Sequence, residues 1–170
     1  MLRRLIRTPA TKVRGATPGE RALIASVFGD TLDPADVTFR HHKWWFLQPR
    51  GIVMAPDGHI WFHPKNPAWR DDFCDAPLPL RSLVVHELVH VWQRQRGLNL
   101  LLRRHPFSTY RYLPLTPGKP FRAYGIEQQA EIVRHAYLLR EGARVPGAPP
   151  LAAYAAILPF GNWERAALLA

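Results

Sequence analysis

The stretch Leu83-Val-Val-His-Glu-Leu-Val-His-Val-Trp92 decides how this chain folds. It contains a His-Glu-x-x-His pattern, and the spacing places His86 and His90 on one face of a helix. Two imidazoles in that position can direct a ring nitrogen at the same zinc ion. Glu87 then lies beside the ion, where its carboxylate can take a proton from a zinc-bound water. The pattern therefore predicts a catalytic zinc site carried by a helix.

The residues around the pattern indicate that this helix is buried. Residues 80–96 contain no Gly or Pro and carry apolar side chains around much of the predicted helix. Gly97 follows a basic last turn, which is typical of a helix end. Buried imidazole and carboxylate groups need partners, and one zinc ion would satisfy all three. The alternative is a core helix whose histidines hydrogen-bond to backbone carbonyls.

Length and composition indicate a single domain. The chain has 170 residues, of which 47% are hydrophobic, enough for one core. We predict a flexible basic arm over residues 1–16 and one domain over residues 17–170. Because Cys74 is the only cysteine, disulfide frameworks and cysteine-based zinc sites are excluded, and a metal must be held by His and carboxylate groups. Cys74 has no neighbouring His in sequence, which indicates an incidental thiol and not a nucleophile.

The formal net charge of +10 favours an anionic partner. The basic residues are scattered in ones and twos without a nucleic-acid-reading module, so nucleic acid is disfavoured as that partner but not excluded. Arg7, Lys12 and Arg14 interrupt the apolar segment that a signal peptide requires. No apolar run approaches the roughly 18 residues of a membrane span. We therefore predict a cytoplasmic protein without a membrane-spanning segment.

Cap and turn signals predict the remaining elements. Thr17-Pro-Gly-Glu20 has the form of a capping box and predicts a helix that ends near Phe28. Strands are predicted where β-branched and aromatic residues cluster, at residues 37–40, 43–47, 51–55 and 59–63. Pro56-Asp-Gly58 predicts a hairpin turn between the last two.

The second half of the chain is predicted to be mainly helical. Residues 126–139 form a second amphipathic helix, residues 144–150 a hinge, and the tail one or two short helices. The predicted fold class is α+β. We expect a small antiparallel sheet packed on the buried His-Glu-x-x-His helix and on a second helix that bears a further ligand, which is a minimal zincin-like core.

A catalytic zinc requires a third protein ligand. A metzincin would have Gly at position 93 and His at position 96, and the chain has Gln93 and Arg96 instead. The second helix offers Glu127 and Glu131, which are four residues apart on one helical face. We predict Glu127 as the ligand and Glu131 as the second-shell support of a ligand histidine.

Other assignments of these residues stay open. The roles of Glu127 and Glu131 can be exchanged, or His105 from the downstream loop can supply the third ligand. In a further alternative, Glu127 and Glu131 both merely form solvated ion pairs with Arg134 and His135. A second electrophile is expected from the connector between the two helices, where Tyr110, Tyr112 and His105 are the candidates.

Aromatic residues are concentrated near the predicted sheet. Trp44, Trp45, Phe46, Trp61 and Phe62 either line a cleft or fill the core between sheet and helix. An edge strand beside such a cleft can hold an extended peptide through main-chain pairing. If Trp44 and Trp45 are exposed, they mark a surface for a partner.

These segments together resemble the bacterial Vgr-related proteins, a group within the gluzincin-like zinc peptidases. The resemblance rests on residues 86–93, on Tyr110-Arg-Tyr112 and on Tyr124-Gly-Ile-Glu-Gln-Gln-Ala-Glu131. It extends to Phe28-Gly-Asp30 and to Met54-Ala-Pro-Asp-Gly-His-Ile-Trp-Phe62, and it covers the chain from about Arg21 to Gly142. The resemblance implies a gluzincin-type zinc site in which His86, His90 and Glu127 are ligands and Glu87 is the general base.

The main functional hypothesis is a zinc-dependent metallopeptidase or amidase that acts on a peptide or protein substrate. The resemblance also implies an association with type VI secretion loci, hence a secretion-system partner and export without a signal peptide. Two alternatives remain: a non-catalytic, zinc-stabilised accessory or adaptor protein of such a system, and a nucleic-acid-associated zinc protease of the SprT-like kind, which would require His105 in place of Glu127.

Overall fold

A computed structural model of the chain describes residues 12–103, 109–163 and 167. Within this part of the chain, short 3-10 turns and loops connect a series of strands and helices. In chain order these are β1 (Lys12–Gly15), α1 (Pro18–Phe28), β2 (Thr38–His41), β3 (Val53–Met54), β4 (Ile60–Phe62), α2 (Leu78–Gln95), α3 (Leu100–Arg103), α4 (Ile126–Arg140) and α5 (Leu151–Ala155). The predicted α+β class is confirmed.

The strands form a mixed sheet in the order β1-β2-β4-β3. β1 pairs with β2 and β3 pairs with β4 in antiparallel fashion, whereas β2 and β4 are parallel, with Phe39 opposite Ile60. The prediction of a purely antiparallel sheet was therefore wrong. The reason is the path of residues 42–52, which connect β2 to β3 without placing β3 beside β2. The β3–β4 hairpin then puts β4 next to β2 and leaves β3 at the edge of the sheet.

The strand predicted at residues 43–47 is not formed. These residues belong to the loop between β2 and β3, which we call the aromatic loop and define as residues 42–52. Phe46 and Leu47 are 77% and 62% exposed. The segment carries four apolar residues in succession, Trp44 to Leu47, without the alternation that gives a strand one buried and one solvated face. The aromatic residues there do not fill the core.

The predicted flexible arm does not extend to residue 16. Residues 1–11 lie outside the described residues, but Lys12–Gly15 form β1 at the edge of the sheet. Arg14 donates to both carboxylate oxygens of Glu20, at 2.6 and 2.8 Å, and Glu20 also accepts from the backbone N–H of Phe73 at 2.9 Å. A buried carboxylate with these partners ties β1, α1 and the loop before α2 together. The arm and the domain are thus not separated at residue 16.

Local signals fixed the helix ends as predicted. The capping box of α1 is present, since the Thr17 hydroxyl accepts from the N–H of Glu20 at 3.1 Å and Glu20 accepts from the N–H of Thr17 at 2.9 Å. Gly97, with φ +83°, follows the end of α2. Helix α2 begins at Leu78, slightly before the predicted start at residue 80, because Pro79 falls in the first turn, where a proline is tolerated.

The core lies between α2, α4 and the sheet. Val85 and Val89 of α2 and Val133 of α4 have no exposed surface, and Phe62 of β4 is equally buried. These apolar contacts hold the middle of α2 against α4, so that the polar residues of the His-Glu-x-x-His pattern face the first turns of α4. Among the described residues, no helix has the length and apolar character needed to cross a membrane.

The single cysteine is held against α1. A Cβ atom added to Gly19 would lie 2.4 Å from the Sγ atom of Cys74, so glycine permits the loop to approach the helix. A hydrogen bond with Asp72, together with burial, raises the pKa of the Cys74 thiol to about 11. The thiol therefore stays protonated near neutral pH, which agrees with the prediction that it is not a nucleophile.

Candidate metal centre

Three buried side chains from α2 and α4 meet at one point. His86, His90 and Glu127 are 5%, 3% and 1% exposed, and one ligand atom from each lies within 4.8 Å of the others. The Nε2 atoms of His86 and His90 are 3.4 and 3.1 Å from the same oxygen, Oε2 of Glu127. The four-residue spacing on α2 and the position of Glu127 in the first turn of α4 bring these atoms together.

The orientation of each imidazole is fixed through its other nitrogen. Nδ1 of His86 is 2.8 Å from Oε1 of Glu131, and Nδ1 of His90 is 2.9 Å from Oε1 of Gln93. A carboxylate accepts a hydrogen bond, so Nδ1 of His86 carries the proton and its Nε2 faces Glu127. Both rings thus present Nε2 to the same place, as metal-ligating histidines with an oriented Nδ1–H do.

Gln93 fixes the tautomer of His90, a role that its position in the sequence does not predict. Its Nε2 donates to the carbonyl of Ile126 at 3.1 Å and to Oε1 of Gln129 at 2.9 Å, which leaves Oε1 as the acceptor for His90. The Gln93 side chain is fully buried. The i,i+3 spacing from His90 was the available signal, but the partners on α4 could not be read from it.

Glutamates dominate the charge around His86. Burial acts to lower the pKa of His86, but hydrogen bonds with Glu127 and Glu131 and the nearby charge of Glu87 outweigh it and raise that pKa to about 9. Burial acts to raise the pKa of Glu131, yet its hydrogen bond with His86 and the charges of His86 and Arg134 hold that pKa below its ordinary value. The centre therefore has the electrostatic character of a cation site.

Glu131 continues the hydrogen-bonded network away from the centre. Its Oε2 is 3.4 Å from Nε2 of His135, whose Nδ1 is 2.5 Å from the hydroxyl of Tyr112, which in turn contacts the Tyr154 hydroxyl at 2.8 Å. Glu131 also pairs with Arg134 at 3.2 Å. The ion pairs weighed as an alternative for Glu131 thus exist beside its contact with His86, and α5 is connected to the centre through Tyr154.

The candidate electrophiles occupy different environments. Tyr110 is 51% exposed, and its ring lies nearly parallel to that of His86 with the centroids 6.0 Å apart. Tyr112 is buried, and its hydroxyl is engaged by His135 and Tyr154, so it supports the centre instead of facing a substrate. His105 lies outside the described residues. Of the two candidates that the structure describes, Tyr110 is the one whose ring stacks beside His86.

Two cavities border the centre. One of about 10 Å³ lies against His90 and Glu127 and is closed on the sheet side by Ala55 and Pro56, the residues that follow β3. That volume is close to the minimum for one water molecule. A larger cavity of about 330 Å³ is lined by Tyr110, Glu131 and other residues of the connector and α4. The inner cavity suits a small ion or water, and the outer one a group of substrate size.

The donor set fits a divalent cation. Two imidazole nitrogens and one carboxylate oxygen are the ligands that zinc takes in many catalytic sites, and other transition metals also accept imidazole. Each imidazole here is oriented by an oxygen acceptor, and the carboxylate lies between the two rings. The structure therefore provides a buried His-His-Glu group that can bind a metal ion.

Comparison with known proteins places this arrangement in a family. No protein-family model matches the chain. The chain is 36% identical over 132 residues to the type VI secretion system spike protein VgrG2b of Pseudomonas aeruginosa. That match covers 74% of this chain but only 13% of the spike protein.

The corresponding solved structure is the effector domain of P. aeruginosa VgrG2b. The two structures share 35% sequence identity with a TM-score of 0.65, and the match covers 75% of each chain. Identity of this extent over three quarters of both chains reflects common ancestry and not fold similarity alone. The chain belongs to the family of the VgrG2b effector domain and is a Vgr-related bacterial protein.

Proposed function

We propose that this protein is a zinc-dependent peptidase or amidase of the gluzincin type and acts as an effector domain linked to a type VI secretion system. One observation carries the proposal: His86, His90 and Glu127 converge from two helices with donor atoms within 4.8 Å of one another. Glu87 stands next to His86 on the buried stretch of α2 and is 4% exposed. A structural metal clip would have no need of the additional carboxylate.

Each residue has a distinct part in the proposed reaction. A zinc ion held by His86, His90 and Glu127 would supply Lewis acidity, which acidifies water and polarises a carbonyl group. Glu87 accepts the proton of the attacking water and passes it to the leaving amine. Glu131 and Gln93 keep the two imidazoles oriented. Tyr110 is the proposed hydrogen-bond donor to the oxygen on which negative charge develops.

The sheet suggests how a peptide would reach the centre. β3 is the edge strand, and Ala55 and Pro56, which follow it directly, lie against His90 and Glu127. An extended peptide that pairs with β3 through main-chain hydrogen bonds would therefore pass the metal ligands. The outer cavity near Tyr110 would accommodate a side chain of that peptide.

The link to secretion is taken from the relative. VgrG2b is a type VI secretion system spike protein, and the matched structure is its effector domain. We propose that this chain has the same relation to such a system, with a spike or another secretion component as its partner. Export of the protein would then depend on recognition by that component.

Replacement of Glu87 by Gln tests the catalytic part of the proposal. Glu87→Gln should reduce hydrolysis of a quenched-fluorescence peptide library by a factor of about 100 or more, because the proton acceptor is lost. The zinc content, measured by elemental analysis, should stay at the wild-type level. Glu141 is an exposed glutamate that directly follows α4, so Glu141→Gln is the matched control and should retain activity. Full hydrolysis by Glu87→Gln would refute the assignment.

The accessory role is the second candidate, and the small inner cavity favours it. A centre with space for about one water molecule resembles a sealed structural site. In that case the wild-type protein would contain zinc in stoichiometric amount, would unfold on chelation and would hydrolyse no member of the library. The SprT-like alternative assigned the third ligand position to His105, which lies outside the described residues, whereas the group of side chains that could hold a metal ion consists of His86, His90 and Glu127.

A further inference from the structure

The aromatic loop, residues 42–52, is the main apolar projection of the described surface. Of the eight large hydrophobic residues that are exposed in this part of the chain, five belong to this loop. They are Trp44 (36%), Trp45 (44%), Phe46 (77%), Leu47 (62%) and Ile52 (45%). Single exposed apolar residues are ordinary on a protein surface, whereas several large ones exposed next to one another mark a binding surface.

Internal hydrogen bonds hold the loop in one conformation. The buried side chain of Gln48 accepts from the N–H of Trp44 at 2.8 Å and donates to the carbonyl of Ile52 at 3.0 Å. Lys43 donates to the carbonyl of Phe46 at 3.0 Å, and the Trp44 ring lies edge-on to buried Trp61. These hydrogen bonds and the ring contact therefore define the backbone conformation in which the aromatic side chains are exposed.

The charged residues in and beside the loop are all positive. The sequence has no Asp or Glu between Asp36 and Asp57, whereas Arg40, Lys43 and Arg50 lie in that interval. Burial lowers the pKa of His63, and the charges of Lys43, Arg50 and Lys65 lower it further, so each of these cations lies within electrostatic range of His63, next to β4. The loop thus carries apolar tips and two cations, Lys43 and Arg50, with no acidic residue in the same stretch of sequence.

The size and chemistry of the loop favour a lipid surface over a protein partner. A stable protein interface engages on the order of 20–30 residues on each side, with a polar rim. A projection of five apolar side chains is much smaller. Trp and Phe, with one apolar end and, in Trp, one polar N–H, suit the boundary between headgroups and acyl chains, and cations beside them attract anionic headgroups.

We propose that the aromatic loop docks the protein onto anionic lipid bilayers, with Trp45, Phe46 and Leu47 entering the interface and Lys43 and Arg50 contacting the headgroups. The protein binds reversibly at the surface, because single loops of this size insert without spanning the bilayer. The loop leads directly into β3, the edge strand next to the metal centre. Docking would therefore bring that edge of the sheet close to the membrane surface. The proposed docking does not depend on whether the centre hydrolyses peptides.

Vesicle co-sedimentation tests the proposal with the full chain. The wild-type protein should sediment with vesicles that contain one third phosphatidylglycerol and should stay in solution with pure phosphatidylcholine. The double variant Phe46→Ser/Leu47→Ser should bind at least tenfold more weakly. Loss of each cation in Lys43→Ser and Arg50→Ser should weaken binding about fivefold, and added salt should act in the same direction.

Leu101→Ser is the matched control, because Leu101 is 57% exposed and lies outside the aromatic loop. This variant should bind vesicles like the wild type. Thermal unfolding shows whether each variant is folded. Independently of any variant, brominated lipids should quench part of the tryptophan emission of the wild-type protein, because Trp44 and Trp45 are at the loop surface. Three results would each overturn the proposal: no binding to anionic vesicles, no quenching, or wild-type binding by a folded Phe46→Ser/Leu47→Ser variant. Each of them would favour a protein as the partner of the aromatic loop.

Discussion

At the scale of single residues, the centre depends on which atoms hold protons. His86 is an imidazolium near neutral pH when no metal is bound, because Glu127 and Glu131 more than offset the effect of burial and raise its pKa to about 9. A cation that binds Nε2 of His86 must therefore displace a proton. The metal and the proton compete for the same nitrogen.

This competition predicts a pH dependence of metal binding. Zinc affinity should increase by up to tenfold per pH unit as the pH rises toward about 9, where His86 loses its proton in the metal-free protein. The folding stability of the metal-free protein should instead decrease as the pH rises. A pKa raised from 6.5 stabilises the folded state fully below pH 6.5, and this contribution is lost as the pH rises through about 9. Competition titrations with a chromogenic chelator measure the first trend, and a zinc affinity that stays constant from pH 6 to pH 9 would contradict it.

Residue-level chemistry was also the most predictable part of the molecule. The spacing of His86 and His90, and of Glu127 and Glu131, already defined which side chains share a helical face, and the structure brings all four together. The roles of Gln93 and Tyr112 depend on partners from α4 and α5 that are distant in sequence. Periodicity along one helix carries no information about such partners.

At the scale of elements, the packing of α2 on α4 builds the centre, and Gln93 is the polar link between these helices. Its side chain joins His90 on α2 to the Ile126 carbonyl and to Gln129 on α4. Loss of this amide leaves buried groups on both helices without their acceptor or donor.

Gln93→Leu should weaken zinc binding by a factor of about 10–100, since the proposed ligand His90 loses the group that orients it. It should also lower the free energy of unfolding by roughly 1–3 kcal/mol through the unsatisfied buried groups. Gln95→Leu is the matched control on the same helix, because Gln95 is exposed and bonds to Asp33. Isothermal titration and chemical denaturation measure the two effects. Equal zinc affinity of both variants would contradict the role of Gln93.

Elements defined by local signals were predicted well, and elements defined by long-range pairing were not. The capping box at Thr17 and the glycine after α2 are properties of neighbouring residues, and both helices end close to the predicted positions. The sheet order depends instead on how residues 42–52 are routed past β2. The same aromatic composition fits a strand or an exposed loop until the partner strand is known.

At the scale of the whole molecule, a cation that joins α2 and α4 should stabilise the fold. The proposed ligands His90 and Glu127 are 37 residues apart in sequence, so the unfolded chain offers no comparable site. Binding to the folded state alone contributes about 2.7 kcal/mol when free zinc is 100 times its dissociation constant.

Removal of zinc by a chelator should therefore lower the Tm of the wild-type protein by about 5–10 °C, since 1 kcal/mol corresponds to roughly 2–4 °C in a domain of this size. Differential scanning calorimetry with and without chelator measures the change. Glu127→Ala, which lacks a ligand, should have a Tm that responds little to the chelator. Superimposable melting curves for the chelated and zinc-loaded wild-type protein would show that the centre does not hold the fold together.

The contact between Gly19 and Cys74 has a consequence for the covalent state of the protein. A thiol that stays protonated attacks disulfides slowly and is oxidised slowly, because the thiolate is the reactive species. The lone sulfur is therefore a poor site for mixed disulfides with glutathione or for cross-links between two copies. Passage from a reducing to an oxidising compartment should leave the molecule chemically unchanged.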